Sequence, residues 1–83
     1  MQNDVPIRPS SLPAKVRFGL MLRHAREHIN LSQEALAEQA GLLRTYIGQV
    51  ERGDRNISAD NMERLADAVG MELWQMPQPE AFK

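Results

Sequence analysis

SQEALAEQAGLLRTYIGQVERG, residues 32–53, decides the fold of this chain because it holds two short helical segments joined at a glycine. Ser32 is a good N-cap for the first segment, since its hydroxyl can accept a hydrogen bond from a free backbone N–H of the next turn. The apolar face of that segment is Leu36, Ala37 and Ala40. Gly41 ends it, because glycine tolerates the left-handed backbone that a tight turn needs.

The second segment packs against the first through Ile47 and Val50, which form its inner face. Two helices that meet at a steep angle need a small side chain where they cross, supplied by Ala37. They also need a glycine at the turn, supplied by Gly41. This spacing predicts a helix-turn-helix over residues 33–52.

The rest of the chain predicts further helices and no strand, because no period-two alternation or hairpin dipeptide is present. The apolar face of a first helix, residues 15–30, is Phe18, Leu22, Ala25 and Ile29. Ser58 begins a later helix, whose apolar stripe is Met62, Leu65, Ala66 and Val69. One more turn at residues 72–75 would bring Leu73 and Trp74 to the core. The predicted class is all-α, with four to five short helices.

The chain has 83 residues, is 42% hydrophobic and has no cysteine, so it makes one small domain without disulfides. We expect a flexible N-terminal arm at residues 1–14, a helix-turn-helix domain at residues 15–76 and a tail at residues 77–83. No apolar run approaches the roughly 18 residues of a membrane span, and the N-terminus does not resemble a signal peptide. We therefore expect a cytoplasmic protein.

Charge is unevenly distributed, although the net charge is only −1. Residues 1–31 carry five basic and two acidic groups, whereas residues 57–83 carry two basic and five acidic groups. A basic face on a nearly neutral protein can still follow the phosphates of a nucleic acid.

The outward side of the second helix of the motif carries Arg44, Thr45, Gly48 and Gln49. In a helix-turn-helix this surface enters the major groove of DNA. Arg44 can donate two hydrogen bonds to guanine O6 and N7, and Thr45 can contact a base edge or a thymine methyl. Gln49 can reach a base or a phosphate, and Tyr46 can bond a phosphate through its hydroxyl.

SQEALAEQAGLLRTYIGQVERGDRNIS, residues 32–58, resembles the DNA-binding domain of the Cro/phage-repressor type of bacterial regulator, the XRE-like family. The RTYI…ERG-RN-S string is especially similar to controller proteins of restriction–modification systems. The resemblance covers residues 16–75, and FGLMLRHAR and MERLADAVG also fit it. It implies a compact five-helix bundle of the lambda-repressor-like type, a homodimer and a palindromic operator in double-stranded DNA.

The resemblance also implies roles for individual residues. Three side chains face bases: Arg44, Thr45 and Gln49. Three others meet phosphates or the sugar-phosphate backbone: Gln33, Arg55 and Asn56. Arg26 and Glu51 match the buried ion pair of the family. Two positions depart from the family pattern. Gly48 replaces a polar residue that commonly contacts bases. Leu43 stands where a polar residue is more common, and it either contacts a thymine methyl or only packs on the turn.

The predicted function is a sequence-specific transcription regulator, acting as a homodimer on a palindromic operator as a restriction–modification controller or autoregulator. The alternative is an antitoxin or another interaction module that neutralises a partner protein. We expect no enzyme, because no nucleophile–base pair, metal cluster or glycine-rich phosphate loop is present. His24 and His28 have the spacing of a metal pair, but no third ligand stands out, so we expect no metal and no cofactor.

Overall fold

The structure is a computed structural model that describes residues 12–72, and these residues form four α-helices and no strand. The helices are α1 (Ala14–His28), α2 (Gln33–Ala40), α3 (Arg44–Glu51) and α4 (Ala59–Ala68). The all-helical class is confirmed. The five-helix detail is not, because four helices are described and residues 73–75 of the predicted fifth lie outside the described part. The predicted N-terminal arm, apart from residues 12–14, and the predicted tail also lie outside it.

Serine side chains begin two of the helices, as the sequence predicts. Ser32 Oγ accepts from the Ala35 N–H at 3.0 Å, and Ser58 Oγ accepts from the Asn61 N–H at 3.1 Å. Each bond satisfies a backbone N–H that has no partner inside its helix, which stabilises the fold by about 1 kcal/mol. The N-cap of α3 is Leu43, which makes no such bond.

The end of α1 departs from the prediction. The helix stops at His28, and Asn30 has a positive φ of 58° that reverses the chain. Ile29 was predicted on the buried face but is 45% exposed. The helical period no longer sets its direction, because Ile29 is the C-cap, with φ −102° and ψ 14°.

The core of the described residues lies where all four helices meet. α3 packs against both α1 and α2, and α2 also packs against α4. The buried hydrophobic residues are Phe18, Leu22, Ala25, Leu36, Ala37, Ala40, Ile47, Val50, Leu65, Ala66 and Val69. Met62 is only half-buried and packs against the edge of this cluster. The predicted apolar faces are therefore the observed ones, with Ile29 absent and Met62 at the margin.

Gly19 in α1 allows this helix to approach α3 closely, which the sequence did not predict. A Cβ atom at this position would overlap the carbonyl oxygen of Val50 and lie 2.9 Å from that of Glu51. Any side chain here would force α1 away from the C-terminal turn of α3. Gly19 therefore helps to set the position of α3 in the fold.

Candidate nucleic-acid interface

The turn between α2 and α3 exposes the N-terminal end of α3. Gly41 has a φ of 70°, and the Leu42 N–H donates to the Ala37 carbonyl at 2.9 Å, which closes the turn. Ala37 is buried where the two helices meet, and Leu42 packs against the core. The chain then enters α3 at Arg44, and the first two residues of the helix, Arg44 and Thr45, are exposed.

The three residues predicted to face bases lie along one side of α3. Arg44 and Thr45 form its exposed first turn, and Gln49 follows one turn later, half-buried. Arg44 and Thr45 make no side-chain hydrogen bond within the described residues. Their donors and acceptors are therefore available to a ligand that approaches the end of the helix.

Gly48 is buried, although the sequence predicted it on the outward side. A Cβ atom there would lie 3.3 Å from Arg52 Nη1 and 3.8 Å from Gln33 Oε1. The long side chains of Arg52, one turn later, and Gln33, from α2, cover it. Helical periodicity could not predict the burial of Gly48, because the atoms that cover it belong to long side chains whose directions the period does not give.

A buried ion pair fixes the C-terminal end of α3. Arg26 donates from Nε to Glu51 Oε2 at 2.6 Å and from Nη2 to Oε1 at 3.0 Å, and its Nη1 donates to the Leu31 carbonyl at 2.7 Å. The two side chains are only 12% and 3% exposed. The hydrogen bond to Glu51 raises the pKa of Arg26 above its ordinary value, so the guanidinium stays charged. The pair ties α1 to the last turn of α3.

Gln33 joins this ion pair from the first position of α2. Its Nε2 donates to Glu51 Oε1 at 3.0 Å. Glu51 therefore accepts from both Arg26 and Gln33, which satisfies a carboxylate that would otherwise be costly to bury. Gln33, predicted to contact a phosphate, is half-buried and leans across α3 in this structure.

A second polar cluster connects α3 to the following loop and to α4. Asn61 Nδ2 donates to the Tyr46 hydroxyl at 3.1 Å. The Arg55 guanidinium lies 5.0 Å from the centre of the Tyr46 ring, and its Nη1 donates to Gln49 Oε1 at 3.3 Å. Predicted base and backbone residues thus hold one another in place. The sequence did not identify Asn61 as part of the site, because no local pattern links it to Tyr46, fifteen positions away.

Positive charge gathers in the same region. Arg44, Arg52 and Arg55 are all exposed, and Asn56 is exposed in the loop beside them. Arg52 also pairs with Asp54 at 3.1 Å, but both side chains are more than half exposed, so this pair adds little to stability. The surface offers guanidinium donors that suit phosphates and guanine edges.

Two features are absent from the part of the chain that the structure describes. No group of three or more histidine, cysteine, aspartate or glutamate side chains is placed to hold a metal ion. None of the four helices is long and apolar enough to cross a membrane.

Comparison with known proteins decides the family. Residues 22–73 match the model of the helix-turn-helix family HTH_3, and this match includes both helices of the motif and the loop after them. The chain belongs to this helix-turn-helix family. Among its relatives is the control protein C.BamHI from Bacillus amyloliquefaciens, which is 44% identical over 59 residues, covering 70% of this chain and 73% of that protein.

Solved structures of this helix-turn-helix type agree with the fold. The restriction-modification controller protein C.AhdI from Aeromonas hydrophila is 46% identical, with a TM-score of 0.72 over 76% of this chain and 96% of that chain. The controller protein C.Esp1396I, solved as a tetramer with its natural 35 base-pair operator, is 25% identical. Its TM-score is 0.70, over 75% of this chain and 86% of that chain.

Proposed function

We propose that this chain is a sequence-specific transcription regulator of the restriction–modification controller type, which binds a palindromic operator as a homodimer. The observation that carries the proposal is the exposed first turn of α3, with Arg44 and Thr45, on a helix whose other end is fixed by the Arg26–Glu51 pair. The likeness to C.AhdI, and to C.Esp1396I with its operator, supports it. The proposal places the regulator in the cytoplasm with the DNA.

In this proposal α3 enters the major groove with its N-terminal turn foremost. Arg44 donates two hydrogen bonds to guanine O6 and N7, and Thr45 contacts the neighbouring base edge. Gln49 reaches a base one helical turn further along. The Arg55 guanidinium supports this role, because its bond to the Gln49 side-chain oxygen orients the amide before DNA arrives.

Four other residues hold the DNA backbone in the proposed complex: Gln33, Tyr46, Arg55 and Asn56. The Tyr46 hydroxyl accepts a hydrogen bond from Asn61, so its own proton remains free to donate to a phosphate. Arg55 and Asn56 extend from the exposed loop after α3. Such contacts position the protein and make binding depend on salt, whereas base contacts give it sequence preference.

The test is DNA binding by fluorescence anisotropy at about 150 mM salt, because phosphate contacts make affinity salt-dependent. The probe is the DNA just upstream of the gene for this chain, compared with a shuffled duplex. We expect a preference of roughly 10³ or more for the native duplex. Arg44→Ala should remove most of that preference, since the homodimer loses two bidentate arginine–guanine pairs, each of which discriminates by about 1–3 kcal/mol.

The matched control is Arg64→Ala, which removes the same charge from an exposed position on α4. It should leave the preference between the two duplexes intact. Equal and weak binding of the unaltered chain to both duplexes would contradict an operator upstream of this gene, and therefore autoregulation. A loss of preference in both variants would contradict the role given to Arg44.

A further inference from the structure

Two consecutive leucines at the start of α3 have opposite surroundings. Leu42 is half-buried and packs against the core. Leu43 is 74% exposed, far more than Ile29 at 45%, which is the next most exposed large hydrophobic residue described. Leu42 therefore supplies the packing that the turn needs, and Leu43 is left outside the fold.

Leu43 also occupies a position where another residue type would serve the fold better. It is the N-cap of α3, with φ −81° and ψ 144°, and it makes no side-chain cap bond. The N-caps of α2 and α4 are Ser32 and Ser58, and both accept a backbone N–H. A leucine here forgoes that stabilisation and leaves apolar surface in water. Nothing in the described fold offsets either cost.

The residues beside Leu43 indicate which kind of ligand it contacts. It immediately precedes Arg44 and Thr45, which are exposed at the same end of α3. The thymine C5 methyl is the apolar group that base edges offer in the major groove. Since a side chain at the start of a groove-bound helix lies near base edges, Leu43 and a thymine methyl would bury each other on binding.

We propose that Leu43 is a specificity-determining residue that packs on the methyl group of a thymine next to the base read by Arg44. This inference rests on the proposed function and deepens it. A helix capped by serine would be more stable, but it could not distinguish thymine from a pyrimidine without the methyl.

The test removes only that methyl group. An operator is first selected from a random duplex library with the unaltered chain, and each of its thymines is then replaced, one at a time, by deoxyuridine. At one thymine in each half-site the replacement should weaken binding about four-fold, the effect expected for one buried methyl-sized group. The same replacement should leave the affinity of Leu43→Ala unchanged.

Leu43→Ser separates the role in binding from any effect on folding. It should lose the discrimination between thymine and deoxyuridine, while its Tm rises by roughly 4 °C because a serine cap is introduced. Thr45→Ser removes the other methyl near the bases and should keep the discrimination that depends on Leu43.

Each outcome bears on a different claim. Specific binding in which no thymine replacement depends on Leu43 would overturn this inference and leave the proposed function standing. Failure of the selection to enrich any sequence would overturn both, because there would be no operator for Leu43 to read.

Discussion

Gly19 and Gly48 both lie inside helices, but the space around them differs. A Cβ atom at Gly19 would strike the backbone of α3, which cannot move without shifting the whole helix. A Cβ atom at Gly48 would meet the end of the Arg52 side chain at 3.3 Å. That side chain is 64% exposed and can shift into water. One glycine is therefore required by packing, and the other is not.

Replacement of each glycine by alanine should have opposite effects on stability. Gly48→Ala should stabilise the chain by about 1 kcal/mol, because alanine has the higher helix propensity. Gly19→Ala has the same local advantage but should destabilise by about 1–3 kcal/mol, since the added methyl overpacks the helix crossing. Urea unfolding of both variants measures the difference, and equal shifts of the two midpoints would contradict the packing argument.

At the scale of the element, polar side-chain bonds fix the C-terminal end of α3 and its side facing α4, whereas its N-terminal end is exposed. Arg26 and Gln33 bind Glu51 at its C-terminal end, and Asn61 binds Tyr46 on the side facing α4. At its start, the N-cap Leu43 makes no cap bond, and the side chains of Arg44 and Thr45 make no hydrogen bond among the described residues. A DNA-binding surface needs this support, because contacts to nucleobases depend on a fixed position of the helix.

The Arg26–Glu51 pair should show strong coupling in a double-mutant cycle. Arg26→Met and Glu51→Leu should each destabilise the fold by about 3 kcal/mol, because each leaves a buried charge without its partner. The double variant should cost much less than the sum, since it leaves neither charge. Urea unfolding measures all three, and an additive double variant would show that the pair does not act as a unit.

The control for this cycle is Arg52→Ala, which breaks the exposed Arg52–Asp54 pair. It should change the free energy of unfolding by no more than about 0.5 kcal/mol. A large loss of unfolding free energy in Arg52→Ala would mean that removal of any surface arginine, and not the burial of the Arg26–Glu51 pair, destabilises the fold.

At the scale of the whole molecule, three exposed arginines form a basic edge around α3 within the described residues, although the chain is nearly neutral. The net charge is −1, yet Arg44, Arg52 and Arg55 are exposed around α3. In the proposed homodimer two such edges enter successive major grooves about 34 Å apart. The rigid spacing of the two α3 helices would then set the spacing of the operator half-sites.

Operator spacing tests that arrangement. Insertion of about five base pairs, half a helical turn, between the half-sites turns the second groove away from the dimer. Affinity should fall roughly 30-fold or more, because one half of the specific contacts is lost. Scrambling one half-site should give the same affinity, as measured by anisotropy. Undiminished binding to the spaced operator would argue against a rigid dimer.

The helices, their caps and most of the core follow from the sequence alone. Ser32 and Ser58 begin helices, Gly41 reverses the chain, and the apolar repeat selects the buried faces. These features depend on neighbours within about one helical turn, which are visible in the linear order of residues. The spacing of Ala37, Gly41, Ile47 and Val50 extends that logic to two helices, because the connection between them is short.

Only the tertiary structure decides which side chains cover or support one another across the molecule. Gly48 is buried beneath Arg52 and Gln33, and Gly19 permits the approach of α1 to α3. Asn61 supports Tyr46, and Leu42 rather than Leu43 packs the turn. Most of these outcomes depend on atoms brought together from distant parts of the chain. Helical periodicity and cap residues do not predict these contacts, because the packing of the helices determines where one helix meets another.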